Sequence, residues 1–542
     1  MSQGKRAGRG ISGLEKGRES PEVLAFAFLL AGFFLLPLLL ASPFSPGGAR
    51  ERESSHVESA RPGRIRWHPF GKEAFKLARS EDKPVLLSIV ASWCHWCHVM
   101  EKETYGDREI ARLINSSFIP IRVDRDERPD LDRHFQALLK AFSGESGLPL
   151  TAFLTPEGEL FWGGTFFPPE DKGGQLGLRS LLPRLYRAYK ERRGEVREVA
   201  RTLSREVAEL GARRLKATSL SAPALKALED ALISQTRLRH GGFGQREGPQ
   251  FPRGPALQFL LTRHFRTGRP GLLLSARLTL DAMARGGIYD QLGGGFHRYA
   301  VDPGWRLPHL EKLTGPNAML LTVYAEAYRA TGEERYKRVA HGTADFALRE
   351  LADRKGGGFF ASLDSDSEPG DNGTYYRWRA AEVRALMPEP MARAAILHLG
   401  LSPADRLLKL DSLGRIPFIE KSPEEVASTL SLSPSRAEAL LEQAKKRLLK
   451  ARERRKPPSL DRRKYTDLNA LMISAFLRAS RALGREDLKS FALLSLEALI
   501  RRAYREGEGF CHLCSPAGPR VEGFLRDQAA AALALLDGYE VS

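Results

Sequence analysis

Hydrophobic and polar positions divide this chain into three stretches with different periods. Val23 to Ala41 is apolar without a single charge. From Arg61 to about Leu215, short apolar runs alternate with amphipathic segments. From Ala222 onward, apolar residues recur at helical intervals between glycine clusters.

The first stretch has the length of a bilayer-spanning helix and exceeds the apolar part of a signal peptide. With Lys5, Arg6, Arg9, Lys16 and Arg18 before it, it predicts a single-pass signal anchor. Residues 1–22 form its cytoplasmic tail, residues 42–62 a flexible stalk, and the body lies on the exported side.

In the second stretch, residues 63–215, the apolar run at Val85 to Val90 predicts a strand covered on both faces. Phe118 to Val123, Leu150 to Leu154 and Leu160 to Trp162 predict further strands. Helices are expected at Phe70 to Arg79, Val99 to Asn115 and Pro129 to Ala141, with a long helix or helix pair from Leu178 to Leu215. Such alternation indicates an α/β sheet domain.

Charge and cysteine content narrow the chemistry. The formal net charge is +18, yet the arginines are dispersed and no nucleic-acid-binding motif accompanies them. The densest basic cluster, Lys445 to Lys464, reads as a solvated helix face and linker. The acidic run Asp124, Asp126, Glu127, Asp130 and Asp132 alternates with Arg122, Arg125, Arg128 and Arg133 and reads as a self-compensated loop rather than a cation site.

The four cysteines fall as two C-x-x-C pairs, Cys94/Cys97 and Cys511/Cys514, too few for a disulfide-stapled scaffold. Cys94 follows the Val85 strand and opens a helix, where unpaired backbone N–H groups favour a thiolate. Cys94-His95-Trp96-Cys97-His98 also satisfies the C-x-x-C-H haem-attachment pattern and could supply a Cys/His zinc site. The strand before the pair favours a redox dithiol over both, so neither a cofactor nor a resident metal is expected.

The segments ASWCHWCHVMEKETYGDREIARLINSSFIPIRVDRDERPDLD and GLPLTAFLTPEGELFWGGTFFPPE resemble the thioredoxin-like domain of the YyaL and spermatogenesis-associated protein 20 family. That resemblance implies a cis peptide before Pro149, an attacking Cys94, a resolving Cys97 and His95 as the neighbouring imidazole. Protein thiols and disulfides would be the partners.

In the third stretch, residues 219–542, Gly-Gly-Phe recurs at Gly241, Gly294 and Gly357, with Gly509-Phe510 as a weaker echo. A period near fifty residues made of two helices predicts stacked helical hairpins. GGFGQREGPQFPR, GGIYDQLGGGFHRYAVDPGWRLPHLEKL, GGGFFASLDSDSEPGDNGTYYRW, RRKPPSLDRRKYTDLNALMISA and EGFLRDQAAAALALL resemble the same family's second region. This implies an (α/α)6 toroid akin to six-hairpin glycosidases and sugar epimerases.

Its pocket candidates are His297, Arg298, Trp305, His309, Glu311, Asp364, Asp366, Asp467 and Asp527. Paired carboxylates with a histidine suit acid/base work on a carbohydrate-like ligand. The family's Tyr-Asp-Gln stands here as Gly315-Pro316-Asn317. Leu363 replaces an acid, Leu468 an aromatic, and Arg526 and Gln528 flank Asp527. These changes favour a binding or scaffold role over sugar turnover, and an incomplete ring would expose helix faces suited to self-association or docking. The expected protein is therefore a membrane-anchored thiol-disulfide exchanger or redox sensor coupled to a helical toroid. A sugar isomerase or hydrolase and a non-catalytic scaffold are the alternatives.

Overall fold

The computed structural model describes residues 64–212, 221–244, 248–368, 371, 373–402, 414–514 and 520–542. The expected anchor at 23–41 and stalk at 42–62 lie outside these residues. Among the described residues no helix is long and apolar enough to cross a membrane.

A four-stranded sheet forms the core of the first domain. Strands β1 (Val85–Val90), β2 (Ile119–Asp124), β3 (Leu150–Leu154) and β4 (Leu160–Gly164) lie in the order β2-β1-β3-β4. β1 runs parallel to β2 and antiparallel to β3, and β3 pairs antiparallel with β4. Because side chains alternate across a strand, β1 serves both faces. Leu86 joins Met100, Ile110 and Phe118 on one, while Val85, Leu87 and Ile89 join Phe135, Leu138 and Leu139 on the other. That two-sided burial is why the run is apolar without alternation.

Helices α1 (Lys72–Ser80), α2 (His95–Met100), α3 (Arg108–Ser117) and α4 (Pro129–Ser143) follow the expected order. A π-helical turn, Glu101–Tyr105, separates α2 from α3, so the single helix expected over Val99 to Asn115 is broken. Asp107 explains the restart at α3, since its carboxylate accepts from the N–H groups of Glu109 and Ile110. The long segment after the sheet is a pair, α5 (Leu178–Glu191) and α6 (Arg193–Ala212).

The helical half begins with α7 (Ala222–Gln235), α8 (Gly254–Thr267), α9 (Pro270–Arg285), α10 (Thr314–Thr331) and α11 (Glu334–Phe346). After a separate lobe come α12 (Thr466–Leu483), α13 (Glu486–Ala503) and α14 (Leu525–Tyr539). Helices α8, α10, α12 and α14 pack successively into a central row, flanked by α9, α11 and α13. Among the described residues this toroid therefore has four helices in its central row. The lobe, with helices between Ala380 and Arg452, packs around its own apolar clusters, so α10 meets α12 directly.

The glycine repeat marks one recurring turn. Phe243, Phe296, Phe359 and Phe510 each bridge back to a residue just past the preceding helix, at Thr236, Tyr289, Ala352 and Tyr504. All four phenylalanines are buried. Gly509-Phe510, the weaker echo in sequence, is thus the same turn in structure. The amides of Asn317, Asn469 and Gln528 each clamp the backbone N–H and C=O of the phenylalanine in three of these turns. Gly294 cannot be replaced cheaply. Its φ is +73°, and an added Cβ would lie 2.0 Å from the Gly342 carbonyl oxygen.

The basic cluster at Lys445 to Lys464 is not a solvated face throughout. Arg452 is 3% exposed and pairs with Asp290, and Arg455 donates to the carbonyls of Thr374, Tyr375 and Arg377. Buried guanidinium groups survive only where charge and hydrogen bonds are matched in this way.

Candidate functional site at the domain junction

A small three-stranded sheet collects the site from three distant loops. Its strands, Lys312–Leu313, Ser362–Leu363 and Leu460–Asp461, lie side by side. They bring Glu311, Asp364 and Asp461 to one edge of the toroid. A neighbouring two-stranded ladder, Tyr299–Ala300 with Pro308–His309, adds Arg298 and His309. The start of α2 sits against this edge.

Cys94 caps α2, with its Sγ accepting from the Cys97 N–H at 3.3 Å. Cys94 and Cys97 are joined as a disulfide with Cα atoms 5.2 Å apart. Both are 6% exposed, packed with Trp93, Leu148 and Leu313 of the toroid. The Leu148-Pro149 peptide is cis, as the resemblance implies.

The histidines of the dithiol helix reach across the junction. His95 Nδ1 donates to Asp366 Oδ2 at 2.6 Å and His98 Nε2 to Asp364 Oδ2 at 2.7 Å. The bond to Asp366 lifts the His95 imidazole above its ordinary value against the effect of burial. Burial opposes charge on His98 as well, but the hydrogen bond and charge of Asp364 outweigh it and raise this imidazole too. Such charge-assisted bonds are short and stronger than neutral ones.

Trp93 anchors the same junction. Its Nε1 donates to Asp126 Oδ2 at 2.6 Å, and the Arg298 guanidinium lies 4.5 Å from its ring centroid. Arg298 also pairs with Glu311 Oε1 at 3.3 Å. Glu311 is 2% exposed, its Oε2 has no hydrogen-bond partner, and burial raises its carboxyl although Arg298 pulls the other way. His309 Nδ1 is 3.9 Å from that oxygen. Burial, then the charges of Arg298 and His95, lower His309 to about 4.

The acidic run after β2 is only partly self-compensated. Arg125 pairs with Asp132 and Arg128 with Asp130, but Asp124 and Glu127 pair with Arg463 of the toroid at 2.8 and 2.7 Å. Arg463 also holds Asp461, which accepts from Ser92 Oγ at 2.7 Å. A junction cavity of about 310 Å³ is lined by Ser92, Trp93, Asp364, Asp461 and Arg463 among others.

The nine toroid candidates therefore separate into three groups. Arg298, His309, Glu311, Asp364 and Asp366 form the junction site. His297 and Trp305 do not belong to it. His297 donates to the Leu310 carbonyl, is held near 3 by burial and Lys312, and lies beside Tyr376, while fully buried Trp305 donates to the His240 carbonyl. Their polar atoms serve backbone groups inside the toroid, which is why they sit in conspicuous motifs without facing the site.

Asp467 and Asp527 make a second cluster with His512. His512 Nδ1 donates to Asp527 Oδ1 at 2.9 Å, and its Nε2 donates to the Asp126 carbonyl across the junction at 2.8 Å. Burial opposes charge on His512, but Asp527 raises it. Cys511 and Cys514, joined as a disulfide, bracket this histidine.

Sequence reasoning missed Asp126, Asp461, Arg463 and His512 as junction residues, and Trp93 and His98 were not singled out for it. Arg463 and Asp461 stood inside a quoted toroid motif and Trp93 beside Cys94, but no spacing shows that they meet.

Residues 49–208 match the family profile described as "Protein of unknown function, DUF255", of the Thioredox_DsbH type. Spermatogenesis-associated protein 20 from Homo sapiens is 33% identical over 518 residues, covering 88% of this chain and 65% of that protein's length. Cellobiose 2-epimerase from Bacteroides fragilis is 33% identical over 84 residues, 16% of this chain and 21% of that enzyme. Among solved structures, a DsbH oxidoreductase overlaps 27% of this chain and 95% of its own at 20% identity, with a TM-score of 0.19. The first domain is thus a thioredoxin-like domain of the DUF255 type, in a chain similar over most of its length to spermatogenesis-associated protein 20.

Proposed function

We propose that this protein carries out thiol-disulfide exchange through Cys94 and Cys97, with the toroid acting as a cap that sets the charge of the dithiol helix. The carrying observation is the pairing of His95 with Asp366 and His98 with Asp364. Imidazolium groups beside a dithiol favour the thiolate, which is the attacking species. In the reductive direction the Cys94 thiolate attacks a substrate disulfide and forms a mixed disulfide, releasing one substrate thiolate that takes a proton from solvent. Cys97, after losing its proton, attacks Cys94 Sγ and releases the second thiolate. The substrate gains two electrons and the protein keeps the Cys94–Cys97 disulfide. Trp96 is 45% exposed beside Phe166 and offers a polypeptide an apolar landing on the open side of α2.

The anchor at 23–41 would hold this exchanger at a membrane with its body on the exported side, where disulfides persist. Trapping with Cys97→Ser tests the exchange. Mixed disulfides that disappear when Cys94 is also replaced support it, and an empty trap at both acidic and alkaline pH rejects it.

Glu311 favours a second reading, acid/base work on a carbohydrate-like ligand at the junction. A buried carboxyl with a free oxygen near His309 is equipped for proton transfer, and the chain shares an 84-residue similarity with a cellobiose 2-epimerase. Sugar turnover that survives Cys94→Ser/Cys97→Ser and is lost in Glu311→Gln would establish it.

A further inference from the structure

We infer that Asp467, His512 and Asp527 are the protein ligands of a divalent first-row cation, of the Zn2+ class, at the inner side of the domain junction. One oxygen from each carboxylate and a ring nitrogen of His512 lie within 4.8 Å of one another. The three residues are 4%, 3% and 0% exposed, in the order Asp467, His512, Asp527. A cation of this class holds its N and O donors at about 2.0–2.2 Å. Donors around such an ion stand roughly 3 to 4 Å apart, and His512 Nδ1 is 2.9 Å from Asp527 Oδ1 and 3.9 Å from Asp467 Oδ1.

A stranded oxygen separates a cation from a simple buried ion pair. Asp467 Oδ1 is buried without any hydrogen-bond partner, while Oδ2 of the same carboxylate is held by Arg526 at 2.8 Å. A proton on His512 Nδ1 satisfies Asp527 Oδ1 and leaves Asp467 Oδ1 without a hydrogen bond, with only the imidazolium charge 3.9 Å away to offset its desolvation. A cation replacing that proton meets all three donors. The exchange is balanced: the imidazolium releases its Nδ1 proton to solvent and the metal takes the freed lone pair.

The surroundings already orient each ligand as metal sites require. His512 Nε2–H donates to the Asp126 carbonyl, and Asp527 accepts from the N–H groups of Asp467 and Phe524. Two carboxylates with one imidazole select a borderline ion over the soft-thiolate class. Bound there, the ion would fix His512 against Asp126, the residue whose carboxylate holds Trp93 beside Cys94.

The test uses the full chain, stripped with chelator and refilled with Zn2+ or Co2+, with metal content and the visible Co2+ spectrum as readouts. One equivalent per chain is expected, with no thiolate-to-cobalt charge-transfer band. Binding should persist in Cys511→Ser/Cys514→Ser and Cys94→Ser/Cys97→Ser and weaken at least tenfold in Asp467→Asn. His512→Gln serves if Asp467→Asn does not fold. No stoichiometric binding by the parent chain overturns the inference. So does a thiolate band, loss of binding in the cysteine variants, or undiminished binding in both Asp467→Asn and His512→Gln.

Discussion

The two C-x-x-C segments share a spacing and a histidine after the first cysteine, yet the fold uses them differently. At Cys94-His95-Trp96-Cys97 the histidine finds its carboxylate, Asp366, in the other domain. At Cys511-His512-Leu513-Cys514 it finds Asp527 within its own domain and extends its second nitrogen to the Asp126 backbone. The first pair caps a helix after a buried strand, with a cis-proline loop alongside. The second lies on short β-ladders between α13 and α14. Spacing brings two thiols together, but the surrounding scaffold decides whether they face an exchange site or close a loop.

The strongest challenge to this contrast is to remove each pair in turn. Cys94→Ser should abolish disulfide exchange with a model substrate, whereas Cys511→Ser/Cys514→Ser should retain it. Equal loss from both substitutions would mean the two pairs act as one relay.

Breaking the cross-domain pairs comes next in size. Removing one partner of a buried ion pair strands the other and costs about 3–5 kcal/mol. His95 and His98 side chains keep 16% and 26% of their exposure, so about 2–3 kcal/mol is expected for Asp366→Ala/Asp364→Ala. Denaturant unfolding of the full chain measures this. The same change at Asp345, paired with Arg485 on the toroid surface, should cost less than about 1 kcal/mol.

The pairs also predict a pH dependence. Both imidazoles are raised in the docked state above the ordinary value of 6.5. Their contribution is fully present below that value and is lost as pH rises through the raised folded-state values. Docking followed by domain-specific proteolysis should therefore weaken on going from about pH 6 to about pH 9. Constant docking across that range would show that the histidines do not hold the domains together.

A single-bond test of the same junction lies at Trp93. Trp93→Phe keeps most of the packing and removes the Nε1–H bond to Asp126, a cost of about 1.5–3 kcal/mol for a bond to a charged group, reduced by any water that replaces it. The thermal midpoint of the full chain reads this out. No shift would place the anchoring of Trp93 in its Arg298 stacking instead.

Local order was legible in the sequence, and the meeting of distant parts was not. β1 announced itself because burial on both faces leaves an unbroken apolar run, and the phenylalanine turns announced themselves because left-handed backbone asks for glycine. The break at Glu101–Tyr105 carried no such mark, since its residues are ordinary helix formers. Asp124 and Glu127 were read with the arginines nearest in sequence, because nothing local points to Arg463 more than three hundred residues later. His297 and Trp305 looked functional because polar tips on large rings are shared by catalytic residues and by side chains that satisfy buried carbonyls. Asp364 and Asp366 stand among the candidate acids of the toroid, but their partners belong to the other domain.

The most direct test is the titration of His95 and His98 in 13C-histidine-labelled full chain, followed by NMR, with His95→Gln and His98→Gln assigning the two resonances. Pairing across the junction predicts that both titrate above the ordinary value of 6.5 and fall toward it in Asp364→Asn/Asp366→Asn. Unchanged titration after loss of both carboxylates would contradict a toroid that sets the charge of the dithiol helix.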